Sequence, residues 1–279
     1  MPSPIPFQHS GLSTVVALVS TLHDPQGRMV GATDRLLGRV LELYESVAIV
    51  PTSATSPELL AALQGAIVEP LAESNGAIGV GRRHALRLGL RSGAEHLHYC
   101  DFDRLLHWIG HYPRELASVL DAIRQHDYLI LGRTARAFDS HPLVQRDTEN
   151  VTNHAFSLWF GRAVDVAAGS CGTSRRGAEL ILERSVCPTN ATDAEWPALV
   201  SHHLGRECVG FLETEGLEFE TPDYYVEEIA AAGSLAAWLE ERSASPANWV
   251  ARARLALESL QALDAVERAQ TALTIPKSP

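Results

Sequence analysis

Short apolar runs alternate with stretches of helical apolar spacing through the first half of this chain, and that alternation constrains the fold more than any other feature. Leu12 to Thr21 reads as a buried strand rich in Val, and Leu22-His23-Asp24-Pro25-Gln26-Gly27 as a loop. Val30, Leu37, Val40, Leu41 and Tyr44 then recur at helical spacing, and Val47 to Val50, closed by Pro51, reads as a second strand. The pattern continues with a short helix over Pro57 to Leu63, a strand over Ala66 to Leu71, a helix from about Ile78 to Arg91 and a strand over His96 to Cys100. A helix broken at Pro113 leads to a strand over Tyr128 to Leu131, and His141 to Gly161 reads as a further helix. Repeated β-α units specify an α/β fold: a mainly parallel, Rossmann-like sheet flanked by helices and joined by right-handed crossovers.

After Val164 the pattern becomes less regular, with helices near Arg175 to Glu183 and Ala194 to Leu204 and a hairpin expected around Glu215-Gly216. From Tyr224 onward Ala, Leu and Glu dominate, and two helices separated by Ser243 to Pro246 are expected. The expected organisation is one α/β domain over residues 12–222 and a helical C-terminal appendage over 223–279, which offers a surface for homo-oligomer formation.

Apolar residues make up 46% of the 279-residue chain, enough for a sizeable core, and the net charge of −11 argues against a nucleic-acid surface. Cys100, Cys171, Cys187 and Cys208 form no Cys-x-x-Cys pair, so neither a zinc ribbon nor a disulfide framework is indicated. No run approaches the roughly 18 apolar residues of a membrane span. The opening Met1-Pro2-Ser3-Pro4 lacks the basic and apolar regions of a secretory leader, so a cytoplasmic location is expected.

The chemistry-bearing signal is His96-Leu97-His98-Tyr99-Cys100-Asp101-Phe102-Asp103-Arg104, where two carboxylates follow a strand. Ligands of open α/β sheets bind outside the carboxyl ends of the strands, and a turn there lets Asp101 and Asp103 converge. Carboxylate oxygens suit Mg²⁺ or Mn²⁺, which in turn bridge diphosphate oxygens. The plain alternative is a solvated strand-to-helix turn with Asp103 capping the next helix. Upstream, Gly79 and Gly81 allow close backbone approach, and Arg82 and Arg83 at a helix start can pair with phosphate; an exposed basic amphipathic helix is the alternative.

Gly79-Val80-Gly81-Arg82-Arg83, running on to Tyr99-Cys100-Asp101-Phe102-Asp103, resembles the segment of family-two glycosyltransferases in which a Gly-Lys-Gly-like turn opens a helix upstream of an Asp-x-Asp strand. The branch it resembles comprises dolichyl-phosphate-mannose-synthase-like enzymes and relatives that make glucosyl- or mannosyl-glycerate compounds. Leu129-Ile130-Leu131-Gly132-Arg133 resembles that branch's Gly-Ser-Arg strand end. Val164-Asp165-Val166-Ala167-Ala168-Gly169 with Ser174-Arg175-Arg176 resembles its Asp-x-x-x-Gly block and Arg-rich helix start. The resemblance spans roughly residues 12–222 and implies a GT-A-like fold holding a nucleoside diphosphate sugar and Mg²⁺ or Mn²⁺. It implies nucleotide-sugar contacts from Asp24, Gly81, Arg82, Arg83, Asp101, Arg133 and Gly169, and metal ligation by Asp101 and Asp103; where some relatives supply a metal-binding His after the late hairpin this chain has Glu220-Thr221-Pro222-Asp223-Tyr224-Tyr225, which leaves the third ligand open with Asp223 as the substitute. It further implies an acceptor-side acid in Ala194-Glu195-Trp196-Pro197: Glu195 as base for the attacking hydroxyl, or Asp193 in its place. A first-turn helix carboxylate favoured by the dipole is the alternative for Glu195.

Two further departures stand out. No acid follows the second strand in Val50-Pro51-Thr52-Ser53-Ala54-Thr55, and the first strand ends in His23-Asp24 where the branch has Asn-Glu. His107 and His111 are four apart and can share a helix face, but they lack a third ligand and a His-Glu-x-x-His arrangement, so surface histidines are expected there. His202-His203 leaves open that one ring faces the cleft. The leading expectation is hexosyl transfer from a nucleoside diphosphate sugar to an acceptor hydroxyl. A non-catalytic nucleotide-binding protein of the same fold is the second, and a nucleotidyltransferase the third, although no Gly-rich loop is visible in Thr21 to Gly27.

Overall fold

In the computed structural model, residues 16–71 and 77–274 are described. The first half of the chain builds the β-α alternation: β1 (Val16–Leu22), α1 (Val30–Leu43), β2 (Ser46–Pro51), α2 (Pro57–Ala62), β3 (Ile67–Val68), α3 (Ile78–Arg91) and β4 (His96–Cys100). Next come α4 (Phe102–His111), α5 (Pro113–Ile123), β5 (Tyr128–Arg133), α6 (Ala135–Asp139), α7 (Leu143–Phe160), β6 (Ser170–Ser174), α8 (Arg175–Arg184), α9 (Thr192–Leu204) and β7 (Val209–Thr214). A 3-10 turn over Thr221–Tyr224 precedes α10 (Val226–Ala231), α11 (Leu235–Ala244) and α12 (Pro246–Thr274).

The seven strands form one sheet in the order β3-β2-β1-β4-β6-β5-β7, parallel throughout except β6, which runs antiparallel to both β4 and β5. Successive side chains of a strand point to opposite faces, and both faces here are apolar because helices cover both. Val16, Leu18, Val47, Ile49, Leu129 and Leu131 pack beneath α1, α4 and α5. Ala17, Val19, Ala48, Val50, Tyr128 and Ile130 pack on the other face with α3, α8 and α9. The C-terminal helices fold back onto this body. Leu263 of α12 joins the second core, Trp238 of α11 packs against Phe219, and Arg252 Nη2 donates to Gln145 Oε1 of α7 at 2.9 Å.

Several expectations need correction. The strand expected over Ala66 to Leu71 is the two-residue β3, residues 12–15 of the first expected strand lie outside the described residues, and three helices rather than two follow Tyr224. No hairpin forms at Glu215-Gly216. Instead the amides of Glu215 and Gly216 donate to the Glu115 carboxylate of α5 at 2.7 and 2.8 Å. A Cβ at Gly216 would stand 1.9 Å from the Trp108 ring, so this glycine serves a close approach to α4 rather than a chain reversal.

Candidate functional site

The parallel strands β1, β2 and β4 end side by side, and outside their carboxyl ends opens a cleft of about 390 Å³. Leu22, Met29, Val50 and Leu71 give it an apolar floor, while Arg82, Asp101, Asp103 and Asn190 give it a charged and polar edge. Asp101 is the N-cap residue of α4, but its side chain caps nothing within the helix. Its Oδ1 instead accepts from Thr21 Oγ1 at 3.0 Å and Tyr99 Oη at 2.5 Å. Asp103 lies in the first turn of α4 and not in a strand-end loop, so both acids crowd the end of the helix where the free amides and the positive dipole end are.

Arg82 organises the centre of the site from the buried face of α3. Its Nε donates to Tyr99 Oη at 3.0 Å and its Nη1 to Thr192 Oγ1 at 2.8 Å and to Asp193, while Nη2 stands 3.6 Å from Asp101 Oδ2. Burial opposes the charge on Arg82, but Asp193, Tyr99 and Asp101 together hold it well above the ordinary arginine range. Burial raises Asp193, with Arg82 opposing. Gly169, in the left-handed region at φ +74°, closes over this ion pair; its Cβ position is 3.6 Å from Arg82 Nη2 and 3.7 Å from Asp101 Oδ2.

Glu220, absent from the expected site residues, belongs to this group. It is buried, its Oε2 has no hydrogen-bond partner, and Arg104 Nε is 4.0 Å away. Burial, Glu220 and Asp101 push the Asp103 carboxyl up to about 7, against the pull of Arg104. Four carboxylates (Asp101, Asp103, Asp193 and Glu220) thus meet two guanidiniums (Arg82 and Arg104). That surplus of negative charge, with an oxygen left unpartnered, suits a divalent cation.

Other expected site residues lie elsewhere. Arg83, one residue beyond Arg82, turns away and donates to Ser185 Oγ at 3.1 Å and Cys187 O at 2.5 Å. Arg133 is buried beside α7, with Nε 2.7 Å from Asp165 Oδ2 and Nη2 2.8 Å from Glu149 Oε2, so these two nitrogens pin β5 to that layer away from the cleft lining. Asp24 is buried and accepts from the Met29 amide at 2.8 Å; its neighbour His23 lines the cleft, with Nδ1 2.8 Å from Thr52 Oγ1. Asp223 joins His107 rather than Asp103, at 2.7 Å from Nδ1. His202 faces α12 through Glu267 at 2.8 Å.

Glu195 is likewise a correction. Its Oε2 accepts from Ser185 Oγ at 2.5 Å, and its Oε1 accepts from the Val186 and Cys187 amides at 3.1 Å each. A carboxylate so engaged holds the α8–α9 loop, and Glu195 lines a separate cavity rather than the cleft. Glu195→Ala strands those donors, and a loss of about 1–3 kcal/mol in unfolding free energy is expected from urea titration. An unchanged midpoint would remove the structural role.

No protein-family model matches the chain, and no curated protein matches it in sequence. Among solved structures it is similar to glucosyl-3-phosphoglycerate synthase from Mycobacterium tuberculosis in complex with Mn²⁺, UDP and phosphoglyceric acid, at TM-score 0.46 and 13% identity over 71% of this chain and 68% of that one. It is similar to the same enzyme with phosphoglyceric acid alone, at TM-score 0.46 and 14% identity over 74% and 76%. A mycobacterial protein matches at TM-score 0.47 and 13% identity over 81% of both chains. Among the described residues, no helix is long and apolar enough to cross a membrane.

Proposed function

We propose that the cleft binds a nucleoside diphosphate sugar together with Mg²⁺ or Mn²⁺, and that the protein transfers the sugar to an acceptor hydroxyl. The observation that carries this reading is the placement of Asp101 and Asp103 together at the N-terminal end of α4, on the edge of a cleft with an apolar floor, with the buried Glu220 near enough to raise Asp103. A nucleoside fits the floor, and a diphosphate fits the acid-lined end, where the α4 amides point outward. Asp101 and Asp103 are the residues to hold the ion, with Glu220 adding negative charge behind Asp103. A divalent ion there supplies Lewis-acid stabilisation of the charge on the departing diphosphate.

Asp193 is the acid best placed on the acceptor side. It lines a small second cavity with Glu149, Thr152 and Arg252, and Asn190 lines both that cavity and the main cleft. An acceptor entering between α7 and α12 would meet the sugar beside Asp193. Its carboxylate, raised by burial, is suited to receive the proton of the attacking hydroxyl.

Thermal shift of the purified protein against nucleotide sugars with and without Mn²⁺ or Mg²⁺, followed by donor hydrolysis, tests the reading. Metal-dependent nucleotide binding with turnover is the expected result. Binding without hydrolysis or transfer in any acceptor mixture would favour the non-catalytic alternative, which the absence of an acid after the second strand also supports.

Asp103→Ala is expected to remove the metal-enhanced part of nucleotide affinity, and the pH dependence has a defined sign. Asp103 must give up its proton to hold a cation, so affinity should rise up to about tenfold per pH unit below its raised pKa of about 7 and level off above it. The same raised value means the folded protein binds more protons than the unfolded chain between the ordinary carboxylate range and neutrality. This group therefore lowers metal-free stability as pH rises through that window. Calorimetric titration between pH 5.5 and 8 checks this, and an equal slope in Asp103→Asn would exclude Asp103 as its source.

A further inference from the structure

The geometry points to a second metal site, separate from the cleft, in which His107, His111 and Asp223 hold a borderline transition-metal ion of the Zn²⁺ type. His107 and His111 stand one turn apart on α4, and their rings lie together with centroids 4.5 Å apart. The missing third ligand comes from the 3-10 turn over Thr221–Tyr224: Asp223 Oδ2 is 2.7 Å from His107 Nδ1 and 3.7 Å from His111 Nε2. One ligand atom from each residue lies within 4.8 Å of the other two. Ligands about 2.1 Å from a tetrahedral ion stand roughly 3.4 Å apart, a spacing the two acid–imidazole distances bracket. Two imidazole nitrogens and one carboxylate oxygen select Zn²⁺, Co²⁺ or Ni²⁺ over Mg²⁺, which prefers oxygen ligands, and leave a fourth position for water.

The surroundings of His107 are an independent sign. The ring is buried, and its Nε2 is 3.1 Å from Glu218 Oε1. Glu218 is itself fixed by the Tyr112 hydroxyl at 2.8 Å and by Arg136 Nη1 at 2.5 Å. A carboxylate on the outer nitrogen of a ligating imidazole sets the tautomer and orients the lone pair toward the ion. Here that lone pair is the Nδ1 facing Asp223 and His111. The site also has a structural reach: Tyr224, next to Asp223, donates its hydroxyl to the Asp103 carbonyl at 2.9 Å. An ion at His107, His111 and Asp223 therefore ties the segment carrying Glu220 to the helix carrying Asp103.

The competing arrangement is an imidazolium at His107 held between the Asp223 and Glu218 carboxylates with no ion. Zn²⁺ titrated into chelator-stripped full-length protein, without nucleotide and against a chromophoric chelator, separates the two. One equivalent per chain is expected, and Co²⁺ should give the visible bands of a four-coordinate ion. His111 is mostly exposed, so His111→Ala should keep the wild-type unfolding midpoint while weakening Zn²⁺ by at least roughly tenfold. Asp101→Asn should leave Zn²⁺ affinity in place. No binding, affinity unchanged by His111→Ala, or affinity abolished by Asp101→Asn would each overturn the site; the last result would place the Zn²⁺ in the cleft.

Discussion

Asp193→Asn is expected to lower turnover by about 10²- to 10⁴-fold, the usual worth of a positioned general base, while donor affinity changes little. The reason is its position. Asp193 lines the small cavity under α12, and it has one strong partner, the Nη1 group of Arg82, which lines the main cleft. Its second oxygen remains available to a hydroxyl, whereas both oxygens of Glu195 are committed to the α8–α9 loop. Asn preserves size and can still accept from Arg82, so the substitution removes basicity with little change in packing. Single-turnover kinetics with a transferred sugar would read the chemical step directly. Equal turnover in wild type and Asp193→Asn would leave Asp193 only its ion pair with Arg82. The paired variant Glu195→Gln should lose stability and keep the chemical step, so the two acids are told apart by which measurement moves.

Legibility followed the range of the interactions. The β-α units up to β5 were readable because both periods are local: β2 and β5 carry continuous apolar runs, and α1, α4 and α5 repeat their apolar residues every three or four positions. β6 was not readable. Ser170-Cys171-Gly172-Thr173-Ser174 has no strand pattern of its own and is a strand because β4 and β5 offer hydrogen-bonding edges on its two sides. The Asp101–Asp103 pair was local, and so was visible. Its neighbours were not: Arg82 meets Asp193 across 111 residues. In Glu220-Thr221-Pro222-Asp223 it is Glu220 that faces Asp103, while Asp223 turns to His107. The stretch is visible in the sequence, but only the sense of the 3-10 turn decides which of its two acids lies near Asp103 and which meets His107. For the same reason His107 and His111 read as surface histidines until the turn supplied their third partner.

Arg82→Ala should destabilise the protein by about 3–5 kcal/mol, the cost of breaking a buried ion pair by removing one member. Its side chain is almost wholly buried, and one guanidinium serves Tyr99, Thr192, Asp193 and Asp101, which come from β4, from the start of α9 and from the cleft edge. Without it, Asp193 and Asp101 face each other with only Arg104 to balance them, and Tyr99 Oη loses a donor. Because Asp101 and Asp193 are partly open to solvent, the effect should fall toward the lower end of that range. Arg82→Lys is not expected to restore it, since a single ammonium cannot span the three directions that the planar fork reaches. The prediction also separates two roles for Arg82. Its guanidinium is already engaged by protein groups, so it serves as a scaffold for the acids more than as a phosphate ligand. Guanidinium chloride unfolding at fixed pH should therefore show the loss equally with and without nucleotide diphosphate. A variant of wild-type stability that has lost only nucleotide affinity would mean instead that Arg82 leaves its acids to bind the diphosphate.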